Sequence, residues 1–171
     1  MANAGYDIGI SEPIWWITLL IPIYLLHQFE EHYWPGGFKE FINHRFFWIL
    51  GAGVPLDDKI VLWTNLPLVW VALPPFTVLG IINIYMTVWI PVFWITNGPL
   101  HLGAGLKWQC FNPGLLTGLF LLIPVGGYSV YLMAAPSLIP SAYWLFSIFL
   151  AFIIHVTIAR GRAATFHFKF P

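Results

Sequence analysis

Residues 13–37 read PIWWITLLIPIYLLHQFEEHYWPGG, and the fold turns on this stretch. Pro13 to Tyr33 is apolar over most of its length, and a helix needs about 20 such residues to cross hydrocarbon. Glu12 and Pro13 open it, Trp15 and Trp16 mark one interface, Tyr33 and Trp34 mark the other, and Pro35-Gly36-Gly37 ends it. His27, Glu30 and Glu31 stand inside this span. Hydrocarbon tolerates such groups only when they face the interior of a bundle, so a spanning helix that carries them points to a site.

The composition extends the same reading to the whole chain. Its 171 residues are enough for one domain, 59% are hydrophobic and 8% are charged, against roughly a quarter charged in an ordinary soluble domain. Mean hydropathy is +0.79. Seven basic and seven acidic residues cannot cover a water-soluble globule with charge. This excludes a cytosolic enzyme, a secreted domain and a disordered tail. A net charge of zero with no Lys/Arg cluster excludes nucleic acid as a partner. The single cysteine, Cys110, excludes a disulfide framework, a thiolate zinc site and an iron–sulfur cluster. The fold class that remains is an all-α, polytopic membrane helix bundle forming one domain over residues 1–171, with membrane lipid as its surroundings.

Five spans are expected. After the first come Lys59 to Leu73, closed by a turn at Pro74-Pro75, and then Thr77 to Gly105. The fourth has Asn112 as N-cap and Pro113 as first residue and extends to Met133. The fifth runs from Ser141 to Arg160. Between the first two, Phe38 to Leu50 carries apolar residues at helical spacing with Lys39, Glu40, Asn43 and His44 opposite. That is the pattern of an amphipathic helix lying in the interface, read as a connector or as a lid for a lipid substrate. Five spans put all seven basic residues (Lys39, Arg45, Lys59, Lys107, Arg160, Arg162 and Lys169) on one side. The positive-inside rule then sets the N-terminus outside and the C-terminus in the cytoplasm, and the expected location is a bacterial inner or plasma membrane. Met1 to Glu12 has no basic residue and no apolar run, so no cleaved signal peptide is expected there.

Polar residues recur at one depth. His27 lies seven residues from Trp34, Asn65 six from Lys59, His101 six from Lys107 and His155 five from Arg160. At 1.5 Å per residue all four come about 8–10 Å below the cytoplasmic interface. Glu30 and Glu31 follow His27 by three and four residues and flank its face, and Tyr24 extends that stripe inward. Trp94, Asn97 and His101 form a matching stripe on the third span. His32, five residues after His27, is expected to point elsewhere.

Three stretches carry a resemblance: His27-Gln28-Phe29-Glu30-Glu31, Asn97-Gly98-Pro99-Leu100-His101, and Asn112-Pro113-Gly114-Leu115-Leu116-Thr117-Gly118. In these the chain resembles the HXXEE-motif family of small membrane proteins of uncharacterised function. The resemblance implies a compact multi-span fold and a metal-dependent or acid–base enzyme, and supplies no substrate.

Three chemistries fit the residues. In the first, His27, Glu31, His101 and His155 ligate zinc or iron, Glu30 is the general base, Asn97 is an outer-shell or oxyanion donor, and a lipid-like or isoprenoid molecule is hydrolysed or otherwise added to. Tyr24, Asn65, Trp94 and Asn112 line the substrate pocket. A histidine-box desaturase would need more histidines than this layer offers. In the second, Glu30 or Glu31 with His27 protonates the alkene or epoxide of an isoprenoid or sterol without a metal, and Trp94 stabilises the cation, giving an isomerase or cyclase. In the third, the chain is a non-enzymatic lipid- or cofactor-binding subunit, with His27 or His101 on a haem or chlorophyll.

Overall fold

A computed structural model of the chain describes residues 12–45, 56–134 and 139–164. All regular structure among the described residues is helical. The first helix forms where expected: α1 is Glu12–His32 with Pro22 inside it. Ile14, Ile17, Leu20, Tyr24, His27, Glu30 and Glu31 are buried. Their spacing of three and four residues is that of one helix face turned to a core.

The turn expected at Pro74-Pro75 is absent. α3 (Asp58–Asn65) runs through a π-helical stretch, Leu66–Ala72, into α4 (Leu73–Ile82). Pro74 and Pro75 fall in the first turn of α4, where a proline's missing N–H and fixed φ do least harm. The chain breaks at Asn83 instead. Its backbone is extended (φ −148, ψ 106), and its side chain accepts from the Tyr85 amide at 3.0 Å. A 3-10 turn, Ile84–Thr87, leads to α5, Trp89–Trp108. The third helix therefore starts twelve residues later than Thr77.

α5 is the axis of the molecule. Trp89 to Trp94 are all buried, and burial all round for more than a turn marks a central helix. α7 and α8 pack against it, and α1 lies against α4 and α7. The next helical run comprises α6 (Leu115–Thr117), a π-helical turn (Gly118–Leu122) and α7 (Ile123–Ala134). It begins after Gly114, two residues later than the expected start at Pro113, because the Asn112 side chain is used elsewhere. A Cβ on Gly98 would stand 2.9 Å from the Gly118 carbonyl oxygen, so α5 and this π turn cross backbone to backbone. α8 (Ser141–Ala164) closes the bundle.

α2 (Phe38–Arg45) is the described part of the interfacial segment, and residues 46–50 of that expectation lie outside the described residues. None of its residues is buried. Its edges hold it. The Asn43 amide donates to the Leu56 carbonyl at 2.9 Å and accepts from its N–H at 2.6 Å, and Lys39 Nζ lies 2.7 Å from Asp58 Oδ1. That hydrogen bond raises the Lys39 ammonium above its ordinary value.

The outward faces are apolar. Trp15 and Leu26 of α1, Ile81 and Ile82 of α4 and Phe149 and Phe152 of α8 are at least half exposed. By length and composition one helical run among the described residues, Leu115–Ala134, is long and apolar enough to cross a membrane; Trp70–Ile82 and Ser141–Val156 are apolar but shorter. The structure thus gives one clear span where five were expected.

Candidate metal centre

Helical spacing sets the first two groups. His27 and Glu31 are four residues apart on the buried face of α1, with His27 Nε2 3.5 Å from Glu31 Oε1. α5 brings the third, His101, whose Nε2 lies 3.3 Å from the same oxygen. The two imidazoles meet edge to face at 4.9 Å. One ligand atom from each of the three residues lies within 4.8 Å of the others, and all three residues are buried.

What surrounds them fixes the protons. Glu30 is a carboxylate and only accepts, so the Thr117 hydroxyl must donate to Glu30 Oε2, at 2.5 Å. The Thr117 oxygen then accepts from His27 Nδ1, 2.8 Å away. Asn112 Nδ2 donates to the His101 carbonyl at 2.8 Å, which turns its Oδ1 to His101 Nδ1 at 2.9 Å. Both histidines in their neutral form therefore carry hydrogen on Nδ1 and a lone pair on Nε2, and both lone pairs face Glu31 Oε1. Asn97 Nδ2 approaches His27 Nε2 at 3.1 Å as a donor. Gln28 Nε2 holds the other oxygen of Glu31 at 2.8 Å and the Tyr24 hydroxyl at 2.8 Å.

Three acceptor atoms thus converge on one point. Only His27 Nε2 among them has a neutral donor at hand, the Asn97 amide; buried acceptors so short of donors are costly, and a shared proton or metal ion satisfies them together. Imidazole nitrogen with carboxylate oxygen is a zinc or iron donor set, and the Nδ1 contacts are the outer shell such ligands ordinarily have.

Glu30 belongs to a different contact. Its Oε1 accepts from the Leu116 amide at 3.0 Å and its Oε2 from the Thr117 amide at 2.7 Å, beside the Thr117 hydroxyl. These amides open the helical run Leu115–Ala134, and its cap residue, Gly114, has no side chain to offer them. A negative charge at a helix N-terminus is favourable for the same reason. Both oxygens of Glu30, the expected general base, are thus taken up at the start of a neighbouring helix. Gly114 has φ +90, and a Cβ there would come 2.5 Å from His101 Cε1 and 2.8 Å from His27 Cε1, so the loop backbone rests on both rings.

The motif segments of α1, α5 and the Asn112–Gly118 loop therefore meet at a single point. The chain belongs to the HXXEE family. The family model, described as a protein of unknown function with HXXEE motif, matches residues 18–129. No curated protein and no solved structure matches the chain. In this HXXEE protein the motif histidine and second glutamate point into the ligand group, and the first glutamate caps the helix that brings Thr117.

The other expected site residues separate. His155 does not join the ligand group. Its Nδ1 donates to the Ala151 carbonyl of its own helix at 2.7 Å, and its ring lies on Phe93 at 4.6 Å. Asn65 lies at an exposed rim and meets His32 Nε2 at 3.2 Å. His32 itself, expected to point elsewhere, sits 3.7 Å from Glu31 Oε2 because α3 brings Asn65 beside it. Trp94 is buried and stacks on Tyr24 at 3.9 Å. Asn112 orients His101 and is not the helix cap. Thr117, Gln28 and Gly114 were not singled out from sequence; the signal for Thr117 was a hydroxyl in the first turn after Pro113-Gly114, where amides stand free.

Proposed function

We propose that this chain is a membrane-embedded metalloenzyme in which His27, Glu31 and His101 hold zinc or iron near one membrane face and act on a lipid-like substrate. The observation that carries this reading is the convergence of two Nε2 lone pairs and one carboxylate oxygen, with both Nδ1 atoms already engaged. The two imidazoles and the carboxylate would hold the ion, which would supply Lewis acidity when bound. The chain's own groups do the rest. Gln28 keeps Glu31 aimed, and Thr117 and Asn112 keep the rings aimed. Asn97 Nδ2, 3.1 Å from His27 Nε2, would be free to donate to a substrate oxygen were an ion to hold that nitrogen. Phe38 of α2 stands beside the group, its ring 5.5 Å from His32 and 6.3 Å from His101.

The membrane part of the proposal rests on the apolar outward faces. A bundle with this much large apolar surface suits hydrocarbon rather than water. In this reading α1, the run from α3 through α4, α5, Leu115–Ala134 and α8 all cross, with the basic residues at the cytoplasmic side.

The test is metal content and uptake by the full chain purified in detergent. About one zinc or iron per chain is expected, with loss in His27→Ala and His101→Ala and retention in Asn65→Ala. Wild-type protein that carries neither metal and takes up neither would overturn the reading. The stacked Tyr24–Trp94 wall beside His27 favours one second reading, a metal-free isomerase or cyclase in which Glu31 and a protonated histidine share the site. Metal-free protein that converts an isoprenoid, and loses that activity in Glu31→Gln, would establish it.

A further inference from the structure

Glu31 has two carboxylate oxygens, and the ligand group uses only Oε1. Oε2 accepts from Gln28 Nε2 at 2.8 Å and lies 3.7 Å from His32 Nε2. His32 is the most open of the three histidines around Glu31. Its side chain is 26% exposed, against 9% for His101 and 0% for His27. The two oxygens of one carboxylate thus face two environments, a closed one and one that reaches the rim.

The His32 ring is placed from two sides. Phe38 of α2 meets it edge to face at 5.5 Å. Asn65 Nδ2 lies 3.2 Å from its Nε2. An amide nitrogen only donates, so Nε2 of neutral His32 carries the lone pair and the ring hydrogen sits on Nδ1. Glu31 Oε2 is a second acceptor beside that lone pair, and Gln28 takes only one of its own two lone pairs. The inner pattern is repeated outside: a histidine Nε2 and a Glu31 oxygen stand 3.7 Å apart at the rim, and 3.5 and 3.3 Å apart within the ligand group. Zinc bonds to nitrogen and oxygen are about 2.0–2.2 Å long, which sets two ligands of one ion about 3–3.7 Å apart. Each of the three histidines is therefore spaced to share an ion with Glu31, and His32 does so through the other oxygen.

We infer that His32 Nε2 and Glu31 Oε2 form an outer, transient site for a divalent zinc or iron ion, the passage by which the His27–Glu31–His101 centre is loaded and unloaded. This deepens the proposed function and rests on it. His32 and Oε2 take the ion from water at the rim. Oε1, His27 and His101 take it from them across the single carboxylate, so Glu31 stays a partner throughout. The inner set offers two imidazoles and the outer set one, so the ion accumulates inside and only passes outside. Asn65 stands where water can serve the same lone pair, which leaves His32 as the side chain that matters for passage.

The experiment uses the full chain in detergent, stripped of metal, with zinc chloride as the probe. Rapid mixing with a fluorescent zinc indicator follows uptake, excess chelator follows release, and titration gives Kd. His32→Phe keeps a ring beside Phe38 and removes the nitrogen. It should slow uptake and release alike, each about tenfold. Kd should not change, because a group used only on the way cancels from the ratio of the two rates. An unchanged Kd on the same sample also shows that the centre is intact. Wild-type rates in His32→Phe would overturn the inference. Weaker binding with an unchanged rate of uptake would do so too, since that marks a resident ligand, as would a wild type that saturates at two zinc ions per chain. Wild-type protein that takes up neither zinc nor iron sinks the metal reading itself. Wild-type protein that binds zinc, beside a His32→Phe variant that loads and unloads at full speed, sinks this inference alone.

Discussion

Glu30 and Glu31 are neighbours on α1, each 5% exposed, and their surroundings are opposite. Around Glu30 every contact is a donor: two amides and a hydroxyl at the start of the helical run Leu115–Ala134. Around Glu31 Oε1 the nearest polar atoms are two imidazole nitrogens whose hydrogens lie on the other side of their rings. A buried carboxylate is therefore not in itself a reactive group. A balance of donors makes it a structural tie, and a surplus of acceptors makes it a place for a cation.

That contrast can be broken by experiment. The largest effect is expected from Glu31→Gln, which should weaken zinc binding at least about a hundredfold and leave the melting temperature of the metal-free protein unchanged or higher. Titration with a competing chelator and a thermal melt read the two quantities. Glu30→Gln should do the reverse. Losing the charge at the helix start costs about 2 kcal/mol, which lowers the melting temperature by about 4–8 °C, while zinc affinity stays within about tenfold of wild type. If both variants fall equally in both assays, the division of labour is wrong. Thr117→Val touches both residues, because its hydroxyl lies between His27 and Glu30. About tenfold weaker zinc binding and about 1 kcal/mol of lost stability are expected, with Thr117→Ser restoring both. The smallest effect belongs to Asn65→Ala at the rim, under about 0.5 kcal/mol in stability and none in metal uptake.

The pairing of His27 with Glu31 was legible in the sequence because four residues make one helical turn, and His101 because its distance from Lys107 placed it at the same level. Their joint appearance in the ligand group follows from those two rules and from nothing subtler. The fate of Glu30 was not legible, because it depends on a helix start arriving from a segment 86 positions away. His155 shared the depth of the others but not their direction, and depth alone carries no azimuth. The boundary error at Pro74-Pro75 has a similar origin: two prolines end a helix when they interrupt it and open one when they stand at its start. The π-helical stretch before them, which lets the chain continue, leaves no simple mark in composition.

The π turn at Gly118–Leu122 also sets the phase of everything after it. One residue corresponds to about 100° of rotation in a helix of 3.6 residues per turn, so the extra residue that such a turn accommodates lets two contact surfaces on one rod be aimed independently. Upstream of it, Leu116 and Thr117 are oriented by a carboxylate; downstream, Gly126, Ser129 and Met133 are oriented by the core. Removing a single residue there would turn the wide turn into an ordinary α turn over the same rotation and leave both attachments facing as they do, whereas a deletion in the α-helical part on either side would twist one of them about 100° out of step.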